Sequence, residues 1–359
     1  MGSYAWYYIF PIFIAILATF GYKNKKVGYL IFFLLFFFNI FRGDGVGNDT
    51  ANYMDWNRIQ YRGGNLEIGF TGLEDLGSKY EVIDILICRL VYSLELNPRW
   101  VITIYSLITF IFFGLGVKRH KANLSLCCLF YVLFNLFFFS LTAARQMAAV
   151  SILLYAYSFI IQENRNIAKF ILFVLIAGLI HMSAIFMVLL LPLLFVKIDR
   201  RILCWIVSGI SVFFIISQLD PLQYIAGFFN VEYVLRYVGE YSSDYGRSLM
   251  GMLFSMMQLG CYMFFYFQRE GKSTDVADLF FLVAILLTSM FAASSGLIGR
   301  ISYNILIFAC VYLSDVISRY GTLNKQIFIV YALLLLTSIY GIGSYGAGGA
   351  LINGYYLNF

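Results

Sequence analysis

Apolar residues run along this chain in long blocks, each closed by a short cluster of charged or polar positions. The blocks predict helical spans near residues 4–22, 27–41, 99–117, 122–139, 142–162, 168–180, 182–196, 202–219, 249–267, 275–293, 301–316 and 326–343. A bilayer-crossing helix needs about 17–25 apolar residues, and in lipid only helices and closed barrels satisfy every backbone group. Barrel strands would alternate between two faces, and these blocks do not. The pattern predicts an all-α polytopic membrane protein of about 12 transmembrane helices, built as a single domain over residues 1–359. The stretch 82–96 is apolar but broken by Asp84 and Arg89, which suits an interfacial or re-entrant helix better than a crossing.

Composition agrees. Hydrophobic residues make up 61% and charged residues 12% of the chain, with mean hydropathy +0.82. A soluble domain carries about 25% charged residues, so this chain has too few to build a water-facing surface. Residues 4–22 have no basic stretch before them and no A-x-A-like site after them, and read as a retained first helix. The net charge of +6 comes from short loops between spans, not from one basic stripe, which argues against nucleic acid. Cys88, Cys127, Cys128, Cys204, Cys261 and Cys310 lie in apolar segments without a CxxC pair and read as packing residues.

Lysine and arginine concentrate in cytoplasmic loops. Placing Lys23, Lys25 and Lys26, then Lys118, Arg119 and Lys121, Arg165 and Lys169, Lys197, Arg200 and Arg201, Arg269 and Lys272, and Arg319 and Lys325 inside gives a consistent alternation with both termini outside. Two long loops are then external, about 42–81 and 220–248. The second contains QYIAGFFNVEYVLRYVGEY, an aromatic amphipathic stretch suited to lying at the interface.

On this topology Arg42, Arg145, His181 and Arg300 all fall near the outer ends of spans. A charge near membrane depth is costly unless it faces protein or a wet cavity; the alternative is that long arginines snorkel to the interface and that His181 simply packs. Arginine's planar, permanently charged fork suits phosphate. Two or three of them beneath an outer-leaflet opening would suit a lipid-linked pyrophosphate. The first external loop, FRGDGVGNDTANYMDW, adds acceptors or a general base in Asp44, Asp49 and Asp55, and rings for a sugar in Tyr53 and Trp56. A solvated acidic loop is the plainer reading. Of the chain's two histidines only His181 is external, so neither a zinc site nor a cofactor is expected.

In order, FRGDGVGNDTANY, KYEVIDILICRLV, LTAARQMAAVSI, AGLIHMSAIF and GRISY resemble the EpsG/Wzy-like polysaccharide polymerases over about residues 38–305. That resemblance implies a metal-independent glycosyltransferase of the bacterial inner membrane, with its site facing the periplasm or exterior. Its substrates would be undecaprenyl-diphosphate-linked oligosaccharides, and its partners the bilayer, a flippase and a chain-length regulator. Matched position by position, it implies catalytic roles for Asp49, Arg145, His181 and Arg300, and substrate binding by Arg42, Tyr53, Glu81, Gln146, Ser183 and Tyr303. Val82 and Ile83 stand where the family often has Pro-Gly after the glutamate, which weakens the case for Glu81. An O-antigen ligase, or a glycosyltransferase using Glu74-Asp75 with a monophosphate carrier, is the nearest rival. A flippase or transporter is the more distant one, because neither repeats nor midplane polar breaks are evident.

Overall fold

The structure, a computed structural model, describes residues 6–65, 82–161, 165–194, 199–217, 249–268, 276–291, 296–320 and 330–336. Among these residues every regular element is helical. The loop expected at 220–248 lies outside them, as does all of the span expected at 326–343 except residues 330–336. The chain divides into two compact units, residues 1–190 with 342–359, and residues 191–341.

The first unit opens with α1 (Trp6–Gly21) and α2 (Lys25–Ile40). The segment that follows forms α3 (Asn48–Met54), α4 (Trp56–Gln60) and a single π turn, Tyr61–Asn65. Then come α5 (Val82–Ser93), α6 (Arg99–Arg119), α7 (Leu124–Leu133), α8 (Leu136–Thr142), α9 (Ala144–Ile161) and α10 (Ile167–Ile180). The helices α6 and α9 are each long and apolar enough to cross a membrane. The pair α7 and α8 passes that test only together, bent by 65°. The span expected as one block at 122–139 is therefore broken. Asn135 causes the break by adopting a left-handed conformation, φ 61°, which asparagine tolerates better than most residues. The stretch 82–96 forms α5, whose 12 residues reach about 18 Å, short of a hydrocarbon core of about 30 Å.

The helices alternate in direction, and side-chain contacts register the alternation. Trp6 and Phe10 of α1 pack on Phe38 of α2 and Phe137 of α8, at one end. At the other end Asn123 caps α7 through Leu126 and donates to the Tyr22 carbonyl at 2.8 Å. There too Arg119 donates to Ser158 at 2.7 Å, and both Arg119 and Lys169 lie over the Phe159 ring. Lys23, Lys118, Arg119, Lys121 and Lys169 thus share one end of the unit, while Arg42, Arg99 and Arg145 share the opposite end.

Buried polar groups need partners, and Asn39 shows how they lock the helices. Its amide donates to Ser140 of α8 at 2.6 Å, while its oxygen accepts from Ser106 of α6, also at 2.6 Å. Cys88, Cys127 and Cys128, and Cys204, Cys261 and Cys310 of the second unit, are all buried and form no disulfide.

After α10 the chain reverses. Tyr157 stacks edge-on against Phe170, near the start of α10, and donates to the carbonyl of Met187, six residues beyond His181, at 2.6 Å. One tyrosine cannot touch both along a continuous helix, in which those residues would lie about 25 Å apart. The segment expected as two short arms turning at His181 is therefore a hairpin. Its second arm, Met182–Leu194, is a 3₁₀ helix. At about 2.0 Å per residue it reaches about 26 Å, rather than the 20 Å that an α-helix of that length would give.

The second unit contains α11 (Arg200–Ser217), α12 (Leu249–Gln268), α13 (Val276–Phe291) and α14 (Gly296–Tyr320). An aromatic core joins three of them: Tyr262 of α12 packs on Phe281 of α13 and Tyr312 of α14. Thr288 donates to Gln258 at 3.0 Å across the α12–α13 seam.

Candidate functional site

The glycine-rich segment after α2 is docked onto α8. Gly47 has φ 84°, and a Cβ there would stand 2.0 Å from the Leu141 carbonyl oxygen. Only glycine permits both the conformation and the approach. Thr50, three residues on, donates to that same Leu141 carbonyl at 3.1 Å. The segment after α2 is thereby seated beside the residues that open α9, Ala144, Arg145 and Gln146.

Arg42 lies beneath the loop and is 1% exposed. Its Nη1 donates to the main-chain and side-chain oxygens of Asn39, both at 2.9 Å, and its Nε donates to Thr50 at 3.3 Å. These bonds tie the end of α2 to the start of α3. Arg99 braces the same end, pairing with Asp44 at 3.0 Å and donating to the Ile40 carbonyl at 3.1 Å.

Asp49 lies in the first turn of α3, half-buried, with Tyr53 one turn later. Tyr53 packs against Tyr105 with ring centroids 5.8 Å apart, and the Arg58 guanidinium lies over its ring at 5.2 Å. Burial pushes the Tyr53 phenol above its ordinary pKa; Arg145 opposes this, Asp49 and Asp84 add to it, and Arg58 opposes it. Tyr53 therefore stands within the fields of Asp49 and Arg145 together, as a neutral hydrogen-bond donor at physiological pH.

The centre of the cluster is a carboxylate that the residue patterns did not single out as functional. Asp84, on α5, is 0% exposed. Both its oxygens accept from Nη2 of Arg58, at 3.0 and 2.8 Å; Arg62 donates to Oδ2; and the Tyr105 hydroxyl donates to Oδ1 at 2.6 Å. Arg145 places Nη1 3.5 Å from Oδ2. Burial alone would raise the Asp84 pKa, but Arg58, Arg145, Arg62 and the Tyr105 hydroxyl together hold it below the ordinary carboxyl value. Arg62 arrives through a second close approach. A Cβ on Gly63 would lie 2.8 Å from Tyr92 Cβ and 2.9 Å from the Cys88 carbonyl, so the π turn lies flat against α5. The signal available in the sequence was a carboxylate interrupting an apolar stretch, which is expensive unless it is paired.

Gln146 is buried beside Arg145 at the head of α9. His181 and Ser183 hold each other, with Nδ1 and Oγ 2.8 Å apart, at the hairpin turn. Because α10 runs antiparallel to α9, with Tyr155 and Phe159 on Phe173, the turn lies at the Arg145 end of the pair. Arg300 and Tyr303 belong to the second unit, in α14, whose start at Gly296 places Arg300 one turn inside the helix. Glu81, Glu74 and Asp75 lie outside the described residues. Among the described residues no group of three or more His, Cys, Asp or Glu side chains is arranged to hold a metal ion.

Comparison with curated proteins and with solved structures returned no match. The family model described as the EpsG family matches residues 25–348, nearly the whole chain and every motif on which the resemblance rested. The chain belongs to the EpsG family.

Proposed function

We propose that this protein is a polysaccharide polymerase that joins undecaprenyl-diphosphate-linked oligosaccharide repeats at the outer face of the bacterial inner membrane. The observation that carries the reading is the gathering of Asp49, Tyr53 and Arg145 at one end of the first unit, the end opposite its basic loops. By the positive-inside rule those loops are cytoplasmic, so the cluster opens outward above an apolar body able to hold a lipid tail. The twelve spans of the topology include the short helices α10 and Met182–Leu194 as a hairpin.

In the proposed reaction the donor is a growing glycan on undecaprenyl diphosphate. A hydroxyl of a second lipid-linked repeat attacks the donor's anomeric carbon. The new C–O bond forms as the bond to the diphosphate oxygen breaks, and that oxygen keeps the electron pair. Arg145 binds the diphosphate and stabilises the negative charge it gains, an electrostatic role that fixed cations perform well in a dry site. Asp49 takes the proton of the attacking hydroxyl, a contribution typically of about 10²–10⁴-fold. Tyr53 donates to the sugar or to a phosphate oxygen, and His181 with Ser183 orients the acceptor. The resemblance assigns Arg300 and Tyr303 to the same substrate.

The test is a deletion strain scored for surface glycan length. Loss of polymer with retention of single capped repeats supports a polymerase. Loss of all surface attachment would instead indicate a ligase, and accumulation of lipid-linked repeats on the cytoplasmic side a flippase.

A further inference from the structure

Tyr53 and Tyr105 pack with ring centroids 5.8 Å apart, but their hydroxyls differ. Tyr105 is 0% exposed, and its hydroxyl donates to Oδ1 of Asp84 at 2.6 Å. Tyr53 is 6% exposed, and among the described residues its hydroxyl has no hydrogen-bond partner. One phenol is committed to the fold and the other is not. The uncommitted one sits on α3, a helix of 7 residues, too short to hold its own shape. Arg58 of α4 holds it from outside. It donates to the carbonyls of Asn52 and Tyr53, both at 3.3 Å, in the last turn of α3, where helix carbonyls lack partners of their own. Its guanidinium also lies over the Tyr53 ring at 5.2 Å. Arg58 is fixed in turn by Asp84 of α5, whose oxygens accept from its Nη2 at 3.0 and 2.8 Å. Asp84 is fixed by Tyr105 of α6. The contacts therefore run from Tyr53 through Arg58, Asp84 and Tyr105 back to the Tyr53 ring.

We infer that Arg58, Asp84 and Tyr105 are positioning residues: together they fix the direction of the Tyr53 hydroxyl, and Tyr53 is the group that meets the ligand. A buried ion pair with only stability to serve is often no better than apolar residues of the same volume. This one closes instead on a side chain whose own polar atom is left uncommitted. Precision is the gain, because a group misplaced by about 1 Å can cost about 10²-fold in rate. That Tyr53 acts on a lipid-linked glycan rests on the polymerase reading; that these three residues hold it does not. Tyr105→Phe is the sharpest probe, since it keeps the ring and the ion pair and removes a single oxygen.

The test places 3-fluorotyrosine at position 53 of the full-length protein in nanodiscs and reads it by fluorine NMR. Narrow lines are expected in the wild-type background. Tyr105→Phe is expected to shift or broaden them at an unchanged thermal midpoint. Arg58→Lys keeps the charge but not the planar guanidinium and is expected to do the same. Either variant suffices should the other not insert. Lines unchanged in both variants overturn the inference. Turnover then separates positioning from general support, with lipid-linked repeats extracted from the deletion strain as substrate. Tyr105→Phe is expected to lower turnover by about tenfold, and to lower it no further in a Tyr53→Phe background, where the hydroxyl to be aimed is gone. Equal losses in both backgrounds overturn the positioning role, because support of the fold does not depend on that hydroxyl. A deletion strain with normal polymer would overturn the polymerase reading alone and leave the fluorine result standing.

Discussion

Nη1 of Arg145 stands 3.5 Å from Oδ2 of Asp84, while Nη2 of Arg58 reaches the same atom at 2.8 Å. The longer separation exceeds that of a good hydrogen bond, and Arg145 is also the more exposed of the two. Arg58 is bound to both carboxylate oxygens; Arg145 lies farther from the carboxylate.

A split between stability and activity follows. Arg58→Ala removes two bonds to a buried carboxylate and a cation–π contact, and is expected to cost about 1–3 kcal/mol. Arg145→Ala is expected to cost about 1 kcal/mol or less, yet to lower polymerisation by about 10²–10³-fold. Arg145→Lys keeps the charge but not the fork and is expected to recover only part. Arg300→Ala is expected to share the loss of polymer. Thermal midpoints of the purified variants and glycan length in complemented cells measure the two sides. Normal glycan from Arg145→Ala at normal protein level would remove Arg145 from the site.

The Asp84 carboxyl sets a pH limit on stability. Its folded pKa is depressed, with burial opposing and Arg58, Arg145 and Arg62 prevailing, so the unfolded chain binds the proton more readily than the folded one. Stability from this group is complete above the ordinary carboxyl value of about 4 and is lost as pH falls through the depressed value. The difference in thermal midpoint between wild type and Asp84→Asn should be constant from pH 8 to about pH 5 and shrink in stronger acid. A difference that persists unchanged in acid would show that folding does not depress the Asp84 pKa.

Gly47→Ala tests the seating of the first loop. The backbone conformation alone costs a non-glycine residue about 1–3 kcal/mol, and the added methyl meets the Leu141 carbonyl. Displacement of the loop moves Asp49 and Tyr53 from Arg145. Polymer is expected to be lost even where the protein still inserts. Gly260→Ala, in α12 with nothing within 4 Å of the added methyl, is the control and should retain normal glycan length.

The hairpin at His181 predicts the sidedness of its flanks. In a chain stripped of its six native cysteines, a cysteine at position 181 should react with a small impermeant thiol reagent from outside, and lipid-linked substrate should protect it. Reporters at residues 166 and 199 should fall on the same, cytoplasmic, side. Opposite sides would end the twelve-span topology.

Positive charge for the leaving diphosphate comes from arginine in this mechanism. Polymerisation by purified protein with lipid-linked repeats is therefore expected to survive EDTA at full rate. Strict dependence on magnesium or manganese would favour paired carboxylates, with Glu74-Asp75 as the first pair to substitute.

That the chain is helical, and where most of its apolar helices fall, was legible in the chain, because a helix in lipid is specified by a local run of apolar residues. The same local information singled out Asp49, Tyr53, Arg145 and the turn at His181. It did not show that α7 and α8 part at Asn135, since the left-handed conformation of one residue leaves no periodic trace. Nor did it show that Arg42 is buried under its own loop, or that Asp84 gathers Arg58, Arg62, Arg145 and Tyr105. Those pairings join residues far apart in sequence, and they depend on Gly47 and Gly63 letting backbones approach within contact distance. Depth is a property of packing: only the tertiary structure sets the Asp84 carboxylate at zero exposure among three partly exposed arginines.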